Sequence, residues 1–256
     1  MRIKTRPGEQ GAPQIDPAAV ESFFCKRAEK AKTIGSLRAV IYQDKHPDLA
    51  ERRDAAEKAL LLPKLGLQAH SRVLDIGCGT GRWTGVLAPQ VKVYHGTDFA
   101  AGLIDIARVE HGTAQNVRYS VLPSVSISLG ALGESQGFDK IVVLGLLIYL
   151  NEEDVFETLC RVAEVAAPQC RLLIREPIAI GERLTIKEHF SSDLEQIYNA
   201  IYRTEEELLF MISETVGRVG FKLSDSGYVY EQREMNNRAD TVQKWYLLER
   251  RKGGVK

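Results

Sequence analysis

Val73-Leu74-Asp75-Ile76-Gly77-Cys78-Gly79-Thr80-Gly81 is the stretch on which the reading of this chain turns. Four residues of buried-strand character run straight into three alternating glycines, and Arg82-Trp83-Thr84-Gly85-Val86-Leu87 then reads as the start of a helix. Glycines at a strand-to-helix turn let the backbone approach a ligand closely, and a doubly wound sheet binds its ligands where such turns meet. The register narrows the choice of ligand. A dinucleotide fingerprint needs G-x-G-x-x-G, yet counting from Gly77 puts Arg82 in the last position and counting from Gly79 puts Thr84 there. The Gly-Lys-Ser/Thr of a Walker loop is absent as well.

Outward from the loop, Asp98 ends the next apolar run, Tyr94-His95-Gly96-Thr97-Asp98, 17 positions past Gly81. An acidic side chain there can accept both hydroxyl protons of an adenosine ribose; a strand-end cap is the alternative reading. Short β-rich runs at 72–76, 91–97, 117–121, 140–144 and 171–174 alternate with helical stretches at 82–88, 100–110 and 152–166. Two further runs, 221–230 and 244–249, leave no room for a crossover helix and so form an antiparallel pair. The expected fold is α/β: a Rossmann-like, doubly wound, seven-stranded, mostly parallel sheet with an antiparallel last strand. Before it, residues 1–17, with Pro7, Gly8, Gly11, Pro13 and Pro17, read as a flexible tail, and 18–66 as an N-terminal helical cap. Within the cap, Asp48-Leu49-Ala50-Glu51 resembles a capping box opening a helix that ends before Pro63. The main domain spans 67–256, with a mainly helical insertion expected at 177–219, before strand six.

The loop with Asp98 downstream closely resembles the cofactor motif of class I S-adenosylmethionine methyltransferases, over about residues 72–174. The resemblance implies S-adenosylmethionine as cofactor. Its methionine end would lie on Asp75 and the backbone of Gly77, Cys78, Gly79 and Gly81, and its ribose on Asp98. The stretch 138–150, with Leu144, would line the way to the acceptor. Phe99 and Leu122 complete the expected contacts, Trp83 either packs against the cofactor or fills core, and Tyr42 would close over the cofactor like the N-terminal segments of small-molecule methyltransferases. One departure stands out. Many relatives place an acidic residue just after the third strand to receive the adenine amino group, where this chain has Val121-Leu122-Pro123-Ser124. Adenine is therefore expected on backbone and apolar packing around Leu122. Asn151-Glu152-Glu153-Asp154 opens the next helix, and its carboxylates read as complements to the helix dipole.

A sulfonium methyl is already activated, so transfer is an in-line displacement that needs alignment, no metal in principle, and a base for a hydroxyl or protonated amine. Two residues are candidates for that base. His189 lies in the insertion and has an ordinary pKa of about 6.5, although an exposed surface histidine is its other reading. Glu176, in Arg175-Glu176-Pro177, falls at the carboxyl end of the fifth strand. Tyr198 and Tyr202, four apart, would share one face of a helix.

Lys and Arg balance Asp and Glu at 34 each, which disfavours nucleic acid or an anionic membrane as partner. No apolar stretch of signal or membrane length occurs, and Cys25, Cys78, Cys160 and Cys170 form no C-x-x-C pair, so a cytoplasmic protein with reduced thiols is expected. The cap and the insertion resemble those of bacterial small-molecule and sugar methyltransferases. That implies O- or N-methylation of a sugar, natural product or metabolite. A protein or RNA acceptor, or a non-catalytic nucleoside-binding subunit of the same fold, remain alternatives, and the oligomeric state is open.

Overall fold

Successive residues of the central runs alternate between two buried faces, which is what a parallel sheet covered on both sides demands. In the computed structural model, which describes residues 1–6, 11–236 and 238–251, Leu74, Ile141, Val143, Leu172 and Ile174 pack into one core cluster. Their neighbours Val73, Val142 and Leu173 pack into another on the opposite face. The strands are β2 (Arg72–Ile76), β3 (Val93–Asp98), β4 (Val117–Val121), β5 (Phe138–Leu144), β6 (Ala166–Ala179), β9 (Lys222–Tyr228) and β10 (Thr241–Arg250), following a short N-terminal β1 (Arg2–Thr5). They form one sheet in the order β4-β3-β2-β5-β6-β10-β9. All neighbours are parallel except β10, which is antiparallel to both β6 and β9.

Helices α6 (Glu152–Val165) and α7 (Glu205–Glu214) cover the first face, while α3 (Pro47–Leu65) and the short α4 (Thr84–Leu87) cover the second. Helix α5 (Ala101–His111) links β3 to β4. The strand order reverses between β2 and β5, the switch point of the sheet, and the loops after β2, β3 and β5 lie along that same edge. Among the described residues no helix is long and apolar enough to cross a membrane.

Three expectations are corrected. The insertion is not mainly helical: β6 runs on to Ala179, and β7 (Arg183–Ser191) and β8 (Gln196–Tyr202) form a hairpin before α7. The segment is rich in β-branched and aromatic residues, which suit a pleated, half-buried surface, and that surface is supplied by α1 (Pro17–Ile34), through Val20 and Phe23. Tyr198 and Tyr202 still share a face, because four is a multiple of the strand period. The N-terminal residues are not a free tail either. β1 pairs antiparallel with β7, from Arg2 opposite Ile186 to Thr5 opposite Arg183, and α1 already starts at Pro17 behind the Asp16 cap. Residues 7–10 of the expected tail lie outside the described residues. Finally, α3 begins at Pro47 with no side-chain cap and carries Pro63 inside its last turn, so the capping box around Asp48 does not form.

The cap is held by a buried ion pair. Arg27 sends Nε to the Ala39 carbonyl at 2.8 Å and both terminal nitrogens to the Asp44 carboxylate, at 2.8 and 2.6 Å. This fastens α1 to α2 (Ser36–Ile41) and to the loop that follows. The two side chains are 1% and 4% exposed, and Lys30 adds a contact to Asp44 at 2.8 Å. Burial alone would push the Asp44 carboxyl up, but the hydrogen bonds and charges of Arg27 and Lys30 hold it below the ordinary value. Its contribution is therefore full at neutral pH and fades as pH falls through the depressed pKa. Arg27→Met, which leaves Asp44 buried with only Lys30, should cost about 3–5 kcal/mol of stability in urea unfolding. A loss under about 1 kcal/mol would mean that the pair does not hold the cap.

Candidate active site

The glycine loop is pinned to the end of β3 before any ligand arrives. Gly77 and Cys78 both donate their N–H to the Thr97 carbonyl, at 2.8 and 2.9 Å. Gly77 and Gly81 take φ of 73° and 77°, a region that favours glycine. A Cβ on Gly81 would also stand 2.9 Å from the Tyr119 hydroxyl. Asp98 ties the loop from the other side: Oδ2 accepts the Gly79 N–H at 3.0 Å and Oδ1 accepts the Ala100 N–H at 2.9 Å. Each oxygen keeps a further lone pair. Burial pushes the Asp98 carboxyl up to about 6, against those N–H bonds. Asp75 accepts from the Tyr94 hydroxyl at 2.8 Å, and burial pushes it up to about 6 as well.

Above the loop lies a cavity of about 350 Å³. Tyr42, Asp75, Gly77, Cys78, Gly79, Trp83, Asp98, Phe99, Leu122 and Leu144 line it, whereas Gly81 sits beneath, against Tyr119, His111 and Thr84. Tyr42 reaches the cavity from the end of α2, where it takes the left-handed conformation. The Trp83 indole N–H is buried at this site without a partner among the described residues. A glycine cradle, a carboxylate with spare acceptor capacity and an orphaned donor fit an adenosine-bearing amino-acid cofactor.

The structure brings neither base candidate to this cavity. His189 stands half-buried on β7, where partial burial and the charges of the Met1 ammonium, Arg238 and Arg2 hold its pKa below the ordinary value. Glu176 is at the right strand end but on the wrong face. It follows Leu172 and Ile174 toward the α6 side, while Arg175 and Pro177 on either side of it line the cavity. Its carboxylate accepts the N–H groups of Leu146 at 2.8 Å, Leu147 at 2.9 Å and Ile148 at 3.3 Å, clamping the loop after β5. Burial pushes it up to about 7 in spite of them.

Other cavity residues had little signal in the sequence. Glu57, from α3, accepts Arg82 at 2.7 Å and Arg175 at 3.0 Å, and Arg82 also reaches Asp54 at 2.8 Å. Burial opposes ionisation of Glu57, yet the two arginines hold it down at about 2. The tyrosines form a chain, with Tyr42 edge-on to Tyr149, ring centres 6.4 Å apart, and hydroxyl contacts from Tyr149 to Tyr198 at 3.2 Å and from Tyr198 to Tyr202 at 3.0 Å. Asp154 also lines the cavity.

A doubly wound sheet of this order, with a glycine cradle and a buried carboxylate at the carboxyl ends of its central strands, is the class I S-adenosylmethionine-dependent methyltransferase fold. Residues 73–169 match the family described as "Methyltransferase domain". Phosphoethanolamine N-methyltransferase 1 of Caenorhabditis elegans is 31% identical over 108 residues, 42% of this chain and 22% of that protein. Among solved structures, Haemonchus contortus phosphoethanolamine N-methyltransferase 1, in complex with phosphoethanolamine and S-adenosylhomocysteine, superposes with a TM-score of 0.70 at 18% identity. That match covers 94% of this chain and 51% of that one. The N-methyltransferase NodS of Bradyrhizobium japonicum WM9, in complex with S-adenosylhomocysteine, gives 0.58 at 17% identity, covering 89% and 98%. The chain thus spans about a fifth of the nematode relative and about half of the phosphoethanolamine enzyme of known structure.

An ionised Asp98 is what two ribose hydroxyls require. Since burial pushes this carboxyl and that of Asp75 up to about 6, S-adenosylhomocysteine affinity should hold above that pH and fall below it by more than the roughly tenfold per unit that one group alone would give. Calorimetry on Asp98→Asn should show affinity lower by about 1–3 kcal/mol at neutral pH, with a flatter pH dependence in which only Asp75 remains. Unchanged affinity and an unchanged profile in the variant would take Asp98 out of the site.

Proposed function

We propose that this chain transfers the methyl group of S-adenosylmethionine to the nitrogen of a small-molecule amine in the cytoplasm. The observation that carries the reading is the make-up of the cavity beyond the cofactor loop. It is walled by Tyr42, Tyr149, Tyr198 and Tyr202, while His189 lies outside it and Glu176 is committed to three backbone N–H groups. Burial pushes the Tyr42 hydroxyl up to about 12 and holds those of Tyr149 and Tyr198 well above the ordinary value, so they stay protonated and orient rather than abstract. A hydroxyl acceptor needs a base near the transition state, whereas a neutral amine brings its own lone pair. When bound, S-adenosylmethionine supplies an activated methyl, and the C–S electron pair stays on sulfur as the N–C bond forms. Positive charge then grows on the acceptor nitrogen, where tyrosine faces attract it. The chain's part is alignment. Asp98 and the glycine loop hold the donor, the Glu176 clamp fixes the loop between donor and acceptor, and the cap excludes water. The N-methyltransferases among the relatives support the same acceptor atom.

The test is incubation with labelled S-adenosylmethionine and a panel of small amines, including phosphoethanolamine, beside phenols and nucleotide sugars, with products read by mass spectrometry as a gain of one methylene. Methylation of an amine is expected. Tyr198→Phe should raise KM for that amine by about tenfold, with S-adenosylhomocysteine affinity retained. Products confined to phenols or sugar hydroxyls would overturn the assignment of nitrogen.

A further inference from the structure

We propose that Asp154, on the first turn of α6, receives the exocyclic amino group of the cofactor's adenine, in place of the acidic residue that the segment after β4 lacks. The inference rests on the cofactor reading and extends it to a residue on a different element. The direction of the bound cofactor follows from the sheet. Asp75 and Gly77 stand at the end of β2 and Asp98 at the end of β3, so a nucleoside whose ribose sits on Asp98 carries its base toward the next strand, β4. There the chain reads Leu122-Pro123-Ser124-Val125, all four lining the cavity and none of them acidic. The Leu122 N–H is already given to the Asp98 carbonyl, at 2.9 Å.

The polar side chains around that end are mostly committed. The Ser124 hydroxyl meets that of Thr158 at 2.8 Å. The Asn151 amide is bonded at both ends to the backbone of Ile15, accepting at 3.0 Å and donating at 2.9 Å, which ties the N-terminal segment across the cavity rim. Glu21 also lines the cavity, but it is exposed to solvent. Asp154 is different. It is half-buried, lines the cavity, and has no hydrogen bond or ion pair among the described residues. Asp154 and Thr158 are one helical turn apart and share a face of α6. Since Thr158 touches Ser124, Asp154 overlooks the same segment one turn nearer the cavity.

An ionised carboxylate only accepts hydrogen bonds, and the adenine amino group donates two. A 6-oxo purine would present an acceptor at that point, so the same residue selects against it. The experiment compares two ligands: S-adenosylhomocysteine, and its purine analogue in which hydrogen replaces the amino group. Calorimetry on the unmodified protein should show about tenfold tighter binding of the amino-bearing ligand. Asp154→Ala should lose that preference by weakening S-adenosylhomocysteine about tenfold while leaving the analogue unchanged, and Asp154→Asn, which keeps a carbonyl acceptor, should recover part of it. Equal weakening of both ligands, or no change in either, would overturn the role of Asp154 while leaving the cofactor assignment standing. Failure of the unmodified protein to bind S-adenosylhomocysteine would bring down the assignment and the inference together.

Discussion

The structure depends on how the end of β3 holds the loop that follows β2. One carbonyl, that of Thr97, takes two loop N–H groups, and one carboxylate, that of Asp98, takes a third while also starting α5 through Ala100. Adjacent parallel strands are thereby joined at their carboxyl ends as well as along their ladder, and the glycines turn between them without side chains in the way. The arrangement makes Asp98 a structural tie and, under the proposed function, a binding group as well. Its two oxygens have enough acceptor capacity for both roles, and burial, by raising its pKa, leaves it ready to gain from hydroxyl donors.

Around that tie, buried charge is distributed by face. Along β6 the even positions turn to the α6 side and the odd positions to the α3 side, so Glu176 and Arg175, adjacent in sequence, serve unrelated networks. Glu176 organises backbone: three N–H groups converge on it, and the loop after β5 takes its shape from that convergence. Arg175 joins Arg82 on Glu57, a pairing in the cavity wall that links α3 to the start of α4. Such networks cost desolvation that pairing only offsets, so they specify an arrangement more than they add stability.

The tyrosine wall of the cavity is assembled from four separate pieces of chain: α2 gives Tyr42, the turn after β5 gives Tyr149, and β8 gives Tyr198 and Tyr202, while α1 packs Phe23 and Phe24 against them. The hairpin that carries Tyr198 is in turn supported by the N-terminal β1, so the first residues of the chain bear on the site from the far side.

The strands, their parallel order up to β6, the glycine loop and Asp98 were legible in the sequence by itself, because each is a local signal: short apolar runs, a strand-to-helix glycine turn, and an acid at the end of the next run. The conformation of residues 177–219 was not, since the same tyrosines four apart satisfy a helix face and a strand face alike, and what decided between them was the apolar surface of α1 lying over 160 residues away in sequence. The roles of His189, Glu176 and Asp154 were equally beyond reach. A titratable residue's type is written in the sequence, but whether it meets a ligand, a backbone N–H group or solvent depends on which face of its element it occupies and what tertiary packing brings to that face.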